Sequence, residues 1–341
     1  MSDDILFEEA GTVGVVTLNR PAALNALTLP MVCALKHQLH LWNEDARVRS
    51  IVLKATPSKA FCAGGDVRWL YDNGRVHPEK VMAFFENEYA MNLSIATLKK
   101  PFVALMDGMT MGGGVGVSLH GQFPVATERF VFAMPETSIG FFPDIGASHL
   151  LNRLPGELGM YLALTGDRLD AGRAHEVGLV YACVPSSQLQ EVQTAILQED
   201  TSPEVILAPW HTPVYSPWPE RAIIDQCFAA GSVEGILERL ASCDAPFAQR
   251  TQETLRAKSP LALKVTFAHL KRTRGLSLAD CLKEDYQLAG HFMRSQDFYE
   301  GVRALLVDKD KNPRWQPAGI DAVTSEMVEA FFDGIIFTRL R

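Results

Sequence analysis

Short apolar runs alternate with amphipathic stretches over the first part of the chain. Thr12–Leu18 is rich in β-branched residues and predicts a strand, because such side chains suit a pleated surface. From Leu29 onward the apolar residues recur at helical spacing, which predicts an amphipathic helix ending near Glu44 and Asp45. Ser50–Lys54 predicts a second, buried strand, and a long helix is expected from about 79 to 98.

The same alternation continues beyond a third predicted strand at Pro101–Met106. A short helix is expected to end near His120, and Phe123–Ala126 and Phe130–Phe132 predict further strands. Strands and helices that alternate up to about Pro185 predict an α/β core. A doubly wound sheet and a spiral of ββα turns both satisfy this pattern, and periodicity alone does not separate them.

The second half of the chain has a different pattern. Residues 201–219 contain proline and serine with little periodicity and predict a segment that links or wraps. Residues 221–306 are largely helical in pattern. We therefore predict an α/β domain over residues 1–195 and a mainly helical C-terminal region over residues 196–341 that packs on it.

The charge balance provides no basic field for nucleic acid. The chain has 341 residues and a formal net charge of −8, so a polyanionic ligand would need a local cationic patch. No apolar run reaches the ~20 residues that span a bilayer. We therefore expect a protein that binds neither nucleic acid nor a membrane.

Cysteine and histidine spacing indicates neither a disulfide framework nor a metal site. The six cysteines are scattered without a Cys-x-x-Cys pair, as expected for free thiols in a reducing compartment. The nine histidines show no paired-ligand spacing. The acidic start of the chain lacks the patterns of a signal or transit peptide. We expect a cytoplasmic protein without a metal.

Two glycine-rich segments stand where predicted strands run into helices. One is Ala63-Gly64-Gly65-Asp66 and the other is Gly112-Gly113-Gly114. Glycine lets a ligand approach the backbone, and the amides at a helix start lack backbone partners. Two such turns facing each other would offer one oxygen two N–H donors, which is an oxyanion hole. Either turn alone is better explained by close packing without a ligand.

Two carboxylates, Glu136 and Asp144, lie eight residues apart among apolar and small residues. Burial should raise the pKa of such groups and suit them to acid–base catalysis. The alternative is structural. Glu136 follows Pro135 and could cap a turn, and Asp144 follows Pro143 and could belong to one.

A third acid, Glu88, lies on an apolar helix face. It has the helical spacing of Phe84, Met91 and Ile95, and an unpaired carboxylate buried there would be costly. Glu88 therefore has either a functional role or a buried ion pair with an arginine, and the spacing leaves both open.

Three segments of the core follow one another in a characteristic order. They are Leu18–Leu27, Lys59–Asp66 and Gly108–Gly114. The first resembles the opening motif of the crotonase (enoyl-CoA hydratase/isomerase) superfamily, and the other two resemble its oxyanion segments. The resemblance covers nearly the whole chain and is weakest at residues 188–219. It implies an α/β fold built as a crotonase-like spiral of ββα turns, with a helical C-terminal region.

The resemblance implies catalytic roles for particular residues. The backbone N–H groups of Gly65 and Gly113 would bind the oxygen of a thioester, and Glu136 would be a catalytic carboxylate. Hydratases of the superfamily carry a second catalytic glutamate where this chain has Gly116. Because glycine has no side chain to activate water, the resemblance speaks against ordinary hydratase activity.

Four further segments resemble the 3-hydroxyisobutyryl-CoA hydrolase branch of the superfamily. They are Met111–Gly116, Pro135–Thr137, Phe142–Gly146 and Asp297–Trp315. By this resemblance Asp144 would orient the acyl hydroxyl or assist proton movement. Glu88 would contribute to the substrate pocket.

The same resemblance implies contacts with coenzyme A along two backbone segments. Leu24 belongs to one of them, and Ala63, Gly64 and the neighbouring Asp66 belong to the other. Arg68, one turn beyond, matches a position that is often basic in the superfamily and could meet the phosphates. It could equally be a solvated residue on a helix face.

The function that follows is hydrolysis of the thioester of a short branched 3-hydroxyacyl-CoA in valine catabolism, without a redox or metal cofactor. Glu136 would attack the carbonyl, giving a mixed anhydride, or act as the base on water. One alternative is a hydratase- or isomerase-type reaction that uses Glu136 alone. Another is a non-catalytic homologue that binds coenzyme A or RNA, and the acidic net charge speaks against RNA. The resemblance also raises the prospect of a homo-oligomer, a trimer or hexamer.

Overall fold

A computed structural model describes residues 3–198, 201–213 and 218–334. In these ranges the strands are β1 (Ile5–Ala10), β2 (Val13–Leu18), β3 (Ser50–Ala55), β4 (Ala60–Cys62), β5 (Phe102–Met106), β6 (Met109–Met111), β7 (Phe123–Ala126), β8 (Val131–Ala133), β9 (Leu169–Asp170) and β10 (Ala182–Cys183).

The α-helices of the same ranges are α1 (Leu29–Glu44), α2 (Val67–Gly74), α3 (Pro78–Ala96), α4 (Gly113–Gly116), α5 (Ala147–Leu151), α6 (Leu158–Thr165), α7 (Ala171–Glu176), α8 (Leu189–Gln198), α9 (Pro203–Leu207), α10 (Arg221–Phe228), α11 (Val233–Ala241), α12 (Pro246–Ala257), α13 (Pro260–Arg272), α14 (Leu278–Phe292), α15 (Gln296–Val302) and α16 (Ser325–Glu329). A π-helical turn, Arg303–Val307, follows α15 directly. None of these helices is both long and apolar enough to cross a bilayer.

The chain divides into two compact units. The first draws on Met1–Asp66, Glu86–Ala133 and Arg168–Ser216, and the second consists of the three ranges between and after them, Val67–Phe85, Met134–Asp167 and Pro217–Arg341. All ten strands named above belong to the first unit. The domain boundary expected between residues 195 and 196 stays a prediction.

The first unit contains two sheets whose strands alternate along the chain. The larger has the order β1-β2-β3-β5-β7-β10 and the smaller the order β4-β6-β8-β9. In these sheets, β1 and β2 pair antiparallel, as do β8 and β9. All the other neighbouring strands pair parallel. Each successive turn adds one strand to each sheet: β3 and β4, then β5 and β6, then β7 and β8. This is a spiral of ββα turns, because a doubly wound sheet would reverse its strand order.

The central strands of the larger sheet form much of the core of the first unit. β5 is buried at every position, as expected for a parallel strand covered on both faces. Val52, Val103 and Val125 pack in one cluster with Ile196 of α8 and Leu207 of α9. The described part of the segment predicted to link or wrap therefore includes a helix that packs on the core of its unit.

The second unit is built from helices packed around aromatic side chains. Phe141 stacks on Phe85 with ring centroids 5.8 Å apart, and Phe142 stacks on Phe292 of α14 at 5.3 Å. Their burial removes a large apolar area from water. The predicted α/β class with a helical C-terminal region is confirmed. The sequence of residues 334–341, apolar and then basic, predicts a short tail, and all of it beyond residue 334 lies outside the described residues.

Candidate functional site

The two glycine turns lie side by side because of the smaller sheet. β4 and β6 are parallel neighbours, and the segments Ala63–Asp66 and Gly112–Gly114 follow them directly. The C-terminal ends of neighbouring parallel strands meet at one edge of a sheet. The turns follow the strands predicted at Ser50–Lys54 and Pro101–Met106, but in each case a three-residue strand that was not predicted, β4 or β6, intervenes.

The amides of Gly65 and Gly113 are close neighbours. A Cβ atom built on Gly113 would lie 3.1 Å from the Gly65 nitrogen, and one built on Gly64 would lie 3.4 Å from the Gly113 nitrogen. A parallel β-bridge joins Leu27 to Gly65. In this bridge the Leu27 N–H donates to the Gly64 carbonyl, and the Asp66 N–H donates to the Leu27 carbonyl. Within the described ranges, this bridge leaves the Gly65 N–H without a backbone partner. Gly113 is the first residue of α4, so its N–H also has no intrahelical acceptor.

Glycine at these positions keeps the space between the turns open. The Cβ built on Gly113 would stand 2.5 Å from Oε1 of Glu88, a distance at which the neighbours must move. Gly64 and Gly112 have φ values of +110° and +49°, which side chains strongly disfavour. Two adjacent amides can act as paired donors to one oxygen.

Glu88 reaches this space from helix α3. Its side chain is 2% exposed, and Phe84, Met91 and Ile95 of the same helix are also buried. The apolar face predicted from the spacing is confirmed, and the glycine turns are the neighbours that its carboxylate meets. The role of Glu88 in substrate binding stays a prediction.

Cys62, the residue before the first glycine turn, is not a nucleophile in this environment. Its thiol is fully buried. Burial, with a smaller contribution from the nearby Glu88 carboxylate, raises the pKa of the Cys62 thiol to about 12. Since thiolate is the reactive form, this cysteine stays inert at neutral pH.

The positions predicted to contact coenzyme A lie mostly around the first turn. Leu24 has a left-handed backbone with φ of +53°, and its carbonyl accepts the N–H of Ala63 at 3.1 Å. Asp66 accepts a hydrogen bond from Arg20 at 3.2 Å. Arg68, in the second unit, is largely exposed and donates to Asp72 at 2.9 Å, as the solvated alternative expects. Phosphate binding by Arg68 stays a prediction.

Glu136 and Asp144 lie together in the second unit. Glu136 opens a 3-10 turn, Glu136–Ile139, after Pro135, and both carboxylates are less than a tenth exposed. Burial and the repulsion of Asp144 raise the pKa of Glu136 well above its ordinary value. The raised pKa expected for Glu136 is confirmed. Its Oε2 has no hydrogen-bond partner among the described residues, so this oxygen is available to a reactant.

A lysine that the sequence analysis did not identify stands near this acid pair. Lys258 donates a hydrogen bond from Nζ to Oγ of Ser138, in the same turn as Glu136, at 2.6 Å. Burial lowers the pKa of Lys258 to about 8, against the opposing attraction of Asp167 and Glu136. In return its charge favours the ionised form of Glu136.

The C-terminal run that suggested the hydrolase branch holds the Glu136 turn. A Cβ built on Gly140 would meet the Asp297 carbonyl oxygen at 2.3 Å, and one on Gly301 would meet the backbone of Ile139 at 2.4 Å. Asp297 also accepts from Ser259 at 2.5 Å, and the Ser259 N–H donates to the carbonyl of Thr137 at 3.3 Å. Helix α15 and the start of α13 therefore fix the turn on which the acid stands.

A buried charged cluster supports the loop that carries Asp144. Asp285 accepts the N–H of Gly146 at 2.7 Å and lies 2.9 Å from Nε2 of His269, while Glu284 lies 3.4 Å from Nδ1 of the same ring. Burial opposes a charge on His269, but these carboxylates outweigh it and raise the pKa of His269 to about 9. Ile145 has φ of +59°, a strained value for a β-branched residue that the cluster helps to hold.

Asn92 was also missed from the sequence. Its side chain is fully buried on α3, and a Cβ built on Gly116 would lie 2.8 Å from its Oδ1. Its position four residues after Glu88 was the available signal. Lys258 and the pair His269–Asp285 gave no such signal, because they lie far along the chain from the acids they support. No cluster of acidic, histidine and cysteine side chains suited to a metal occurs in the described part of the chain.

Comparison with known proteins gives a consistent result. A model of the enoyl-CoA hydratase/isomerase family matches residues 13–332. The mitochondrial 3-hydroxyisobutyryl-CoA hydrolase of Xenopus tropicalis is 42% identical over 97% of this chain and 89% of its own length. The mitochondrial 3-hydroxyisobutyryl-CoA hydrolase of Homo sapiens is 40% identical over 98% of this chain and 89% of its own length.

Solved structures share the fold over nearly the whole chain. A protein described as a carnitinyl-CoA dehydratase from Mycobacterium thermoresistibile has a TM-score of 0.93 at 37% identity, covering 98% of this chain and 97% of its own. An enoyl-CoA hydratase from Rhodobacter sphaeroides 2.4.1 has a TM-score of 0.89 at 36% identity, covering 97% of each chain. The crotonase-like fold expected from the sequence motifs is confirmed by these likenesses.

Proposed function

Because the chain belongs to the enoyl-CoA hydratase/isomerase (crotonase) family, we propose that it hydrolyses the thioester of 3-hydroxyisobutyryl-CoA or of a closely related short branched 3-hydroxyacyl-CoA. The products are the free hydroxy acid and coenzyme A. Water is the other reactant, so the proposed reaction needs no redox or metal cofactor. A place in valine catabolism follows from this substrate and is part of the proposal.

One observation carries the proposal: the amides of Gly65 and Gly113 lie side by side just beyond the ends of β4 and β6. In the proposed reaction they donate to the thioester oxygen, which gains negative charge as the carbonyl carbon is attacked. Donors fixed in advance stabilise such charge without reorganising, and each is typically worth about 3 kcal/mol of the barrier. A protein with one such amide would lack half of this stabilisation.

Glu136 is the proposed catalytic carboxylate. As a nucleophile, its oxygen bonds to the thioester carbon, the C–S bond breaks, and coenzyme A leaves as a thiolate that takes up a proton. Water then opens the resulting mixed anhydride. As a general base, Glu136 instead removes a proton from water while the water oxygen attacks the thioester carbon, and the C–S bond of the adduct then breaks, releasing coenzyme A, whose sulfur takes up the proton. Asp144, which raises the pKa of Glu136, assists proton movement or orients the acyl hydroxyl.

The two versions of this step differ in where the water oxygen goes. In a single turnover in water enriched in heavy oxygen, the nucleophilic route leaves the label in either Glu136 or the product, depending on which anhydride carbonyl water attacks. The general-base route puts the label into the product alone. Label that accumulates in the Glu136 peptide over repeated turnovers, measured by mass spectrometry, requires a covalent intermediate and therefore identifies the nucleophilic route.

Position 116 favours hydrolysis over addition of water to a double bond. A family hydratase has a second glutamate there by the motif resemblance, and this chain has glycine. Asn92 fills part of the same space, and an amide is too weak a base to activate water. The proposed chemistry therefore relies on the carboxylates of the second unit.

A panel of acyl-CoA esters tests the proposal directly. The purified protein is expected to release free thiol from 3-hydroxyisobutyryl-CoA, as measured with a chromogenic thiol reagent. Absorbance of the enoyl group, followed in parallel with crotonyl-CoA, is expected to stay constant. Thiol release from none of the esters would end the proposal of a hydrolase.

The likeness to structures described as a dehydratase and a hydratase favours a second candidate. This is a hydratase- or isomerase-type reaction in which Glu136 alone moves a proton on the acyl chain. The same panel separates the two candidates, because a double-bond reaction changes the enoyl absorbance and releases no thiol.

The cellular location and assembly belong to the same proposal. We keep the sequence-based proposal of a cytoplasmic protein, while the relatives described above are named as mitochondrial. A homo-oligomer, a trimer or hexamer, is proposed from the family resemblance. Fractionation of the source cells and light scattering of the purified protein test these two statements.

A further inference from the structure

Helix α3 packs against helix α4 at two levels along its axis. At each level, a polar side chain of α3 lies beside a glycine of α4. At the first level, Glu88 Oε1 would lie 2.5 Å from a Cβ on Gly113. At the second, one helical turn along both helices, Asn92 Oδ1 and Nδ2 would lie 2.8 and 2.9 Å from a Cβ on Gly116. The absence of a side chain at both glycines thus lets the backbone of α4 approach both polar groups closely.

The amide of Asn92 has no protein partner at this position. Its side chain is fully buried, and neither Oδ1 nor Nδ2 forms a hydrogen bond with any of the described residues. Leaving a buried amide unpaired destabilises a fold, whereas an apolar side chain of the same shape would not. Such a group is expected where a ligand completes its hydrogen bonds.

The chemistry of the amide limits what that ligand is. Oδ1 needs a hydrogen-bond donor and Nδ2 needs an acceptor, and both atoms face the same glycine. A hydroxyl group is both donor and acceptor, so a single hydroxyl satisfies the amide. A carboxylate or a carbonyl oxygen would leave Oδ1 unpaired, and a methyl group would leave both atoms unpaired.

The separation of the two levels matches the acyl chain of the proposed substrate. One helical turn is about 5.4 Å, and the four bonds between the thioester oxygen and a hydroxyl on carbon 3 span up to about 5 Å when the chain is extended. With the oxygen at the amides of Gly65 and Gly113, the hydroxyl comes to the level of Asn92. We infer that Asn92 binds the 3-hydroxyl of the acyl group and selects hydroxylated esters. This inference rests on the proposed function for the identity of the acyl chain.

Two matched esters and one isosteric substitution test the inference. Wild-type protein is expected to prefer 3-hydroxyisobutyryl-CoA over isobutyryl-CoA, which lacks only the hydroxyl, by about 100-fold or more in kcat/KM. Asn92→Leu should lose ~100-fold on the hydroxylated ester and change less than about 3-fold on isobutyryl-CoA. Asn92→Ala, which is smaller, should show the same loss of preference if the leucine variant does not fold.

Asn87→Leu is the matched control. It carries the same substitution on the same helix, but its amide accepts from Lys36 at 2.6 Å. It should keep the wild-type preference. Because no partner is lost in the unliganded protein, the melting temperature of Asn92→Leu should equal or exceed that of the wild type.

Binding measurements separate this inference from the proposed function. Affinities of both esters are measured by calorimetry in a Glu136→Gln background, with and without Asn92→Leu. If wild type releases no thiol but the Asn92 substitution still removes the preference in binding, the proposed hydrolysis fails and the inference stands. If the preference survives the substitution, or the wild type shows none in either binding or turnover, the inference is overturned.

Discussion

The buried position of Glu136 controls the ionisation of its carboxyl group, and the ionisation determines what chemistry the group can do. The side chain is 8% exposed, and both burial and Asp144 disfavour its charged form, while Lys258 favours it. Two carboxyl groups in this relation tend to share one proton over a wide pH range. Such a pair supplies both a base and an acid during one turnover, which thioester hydrolysis requires.

Removing the charge of Glu136 tests its role. Glu136→Gln keeps the shape of the side chain but cannot attack a carbonyl or accept a proton, so kcat should fall by about 1,000-fold or more. Affinity for the coenzyme A ester, measured by calorimetry, should change little. Glu253→Gln, on an exposed part of α12, is the control and should behave as wild type. Normal turnover by Glu136→Gln would remove this residue from the mechanism.

Lys258 should set the pH at which Glu136 becomes active. If Glu136 works in its ionised form, kcat/KM rises with pH through its pKa, which burial and Asp144 raise. Lys258→Met removes a charge that lowers this pKa, so the rising limb of the pH profile should move to higher pH. Lys283→Met, on the exposed surface of α14, should leave the limb where it is. A limb that does not move in Lys258→Met contradicts the electrostatic coupling.

The candidate residues that could be found from the sequence are those that belong to a local sequence pattern. Glu88 was found from helical spacing, and Glu136 and Asp144 from their apolar surroundings. Asn92 was overlooked because a lone asparagine on a helix is usually solvated. Lys258 could not be found, because Glu136, the acid whose ionisation it affects, lies over a hundred residues away in the sequence. The link from the His269–Asp285 pair to the Asp144 loop could not be found either, because Asp285 meets Gly146 across 139 residues.

Substitution of Gly113, in the second glycine turn, tests the proposed oxyanion hole. A side chain there would push Glu88 Oε1 and the Gly65 nitrogen from their places, which disturbs the donor pair. Gly113→Ala should lower kcat by about 100-fold or more while circular dichroism shows a folded protein. Gly231→Ala, where an added Cβ meets nothing within 4 Å, is the matched control. A fully active Gly113→Ala would exclude this amide as a donor.

The buried cluster between α13 and α14 should make stability depend on pH. His269 has a pKa of about 9 in the folded protein against an ordinary value of 6.5, so the folded state holds its proton more tightly. The resulting stabilisation is complete below pH 6.5 and is lost as the pH rises through about 9. His269→Gln should therefore be less stable than wild type by about 3 kcal/mol at low pH, with a difference that shrinks above neutrality. Urea unfolding at several pH values measures it, and a constant difference would contradict the assignment.

Periodicity identified the long elements and the short strands β7 and β8, but it missed β4 and β6. The helix expected from Leu29 to about Glu44 is α1, and the expected strands at Ser50 and Pro101 correspond to β3 and β5. β4 and β6 have three residues each, too few for a pattern to repeat. These two strands bring the glycine turns together, so the decisive part of the site geometry depends on elements without a sequence signal.

At the scale of the whole molecule, the order of motifs carried more information than any single motif. Each glycine turn alone is compatible with simple packing, but three motifs in family order predicted the crotonase family and its fold, and both are confirmed. Periodicity could not choose between a spiral and a doubly wound sheet. That choice depends on which sheet each short strand joins, and pairing between distant segments decides it.

A crystal structure of the Glu136→Gln variant with 3-hydroxyisobutyryl-CoA bound would test the proposed oxyanion hole most directly. We expect the thioester oxygen within about 3 Å of both the Gly65 and the Gly113 nitrogen, with each N–H directed at it. A bound ester whose carbonyl oxygen meets neither amide, or these amides turned towards other acceptors, would contradict it.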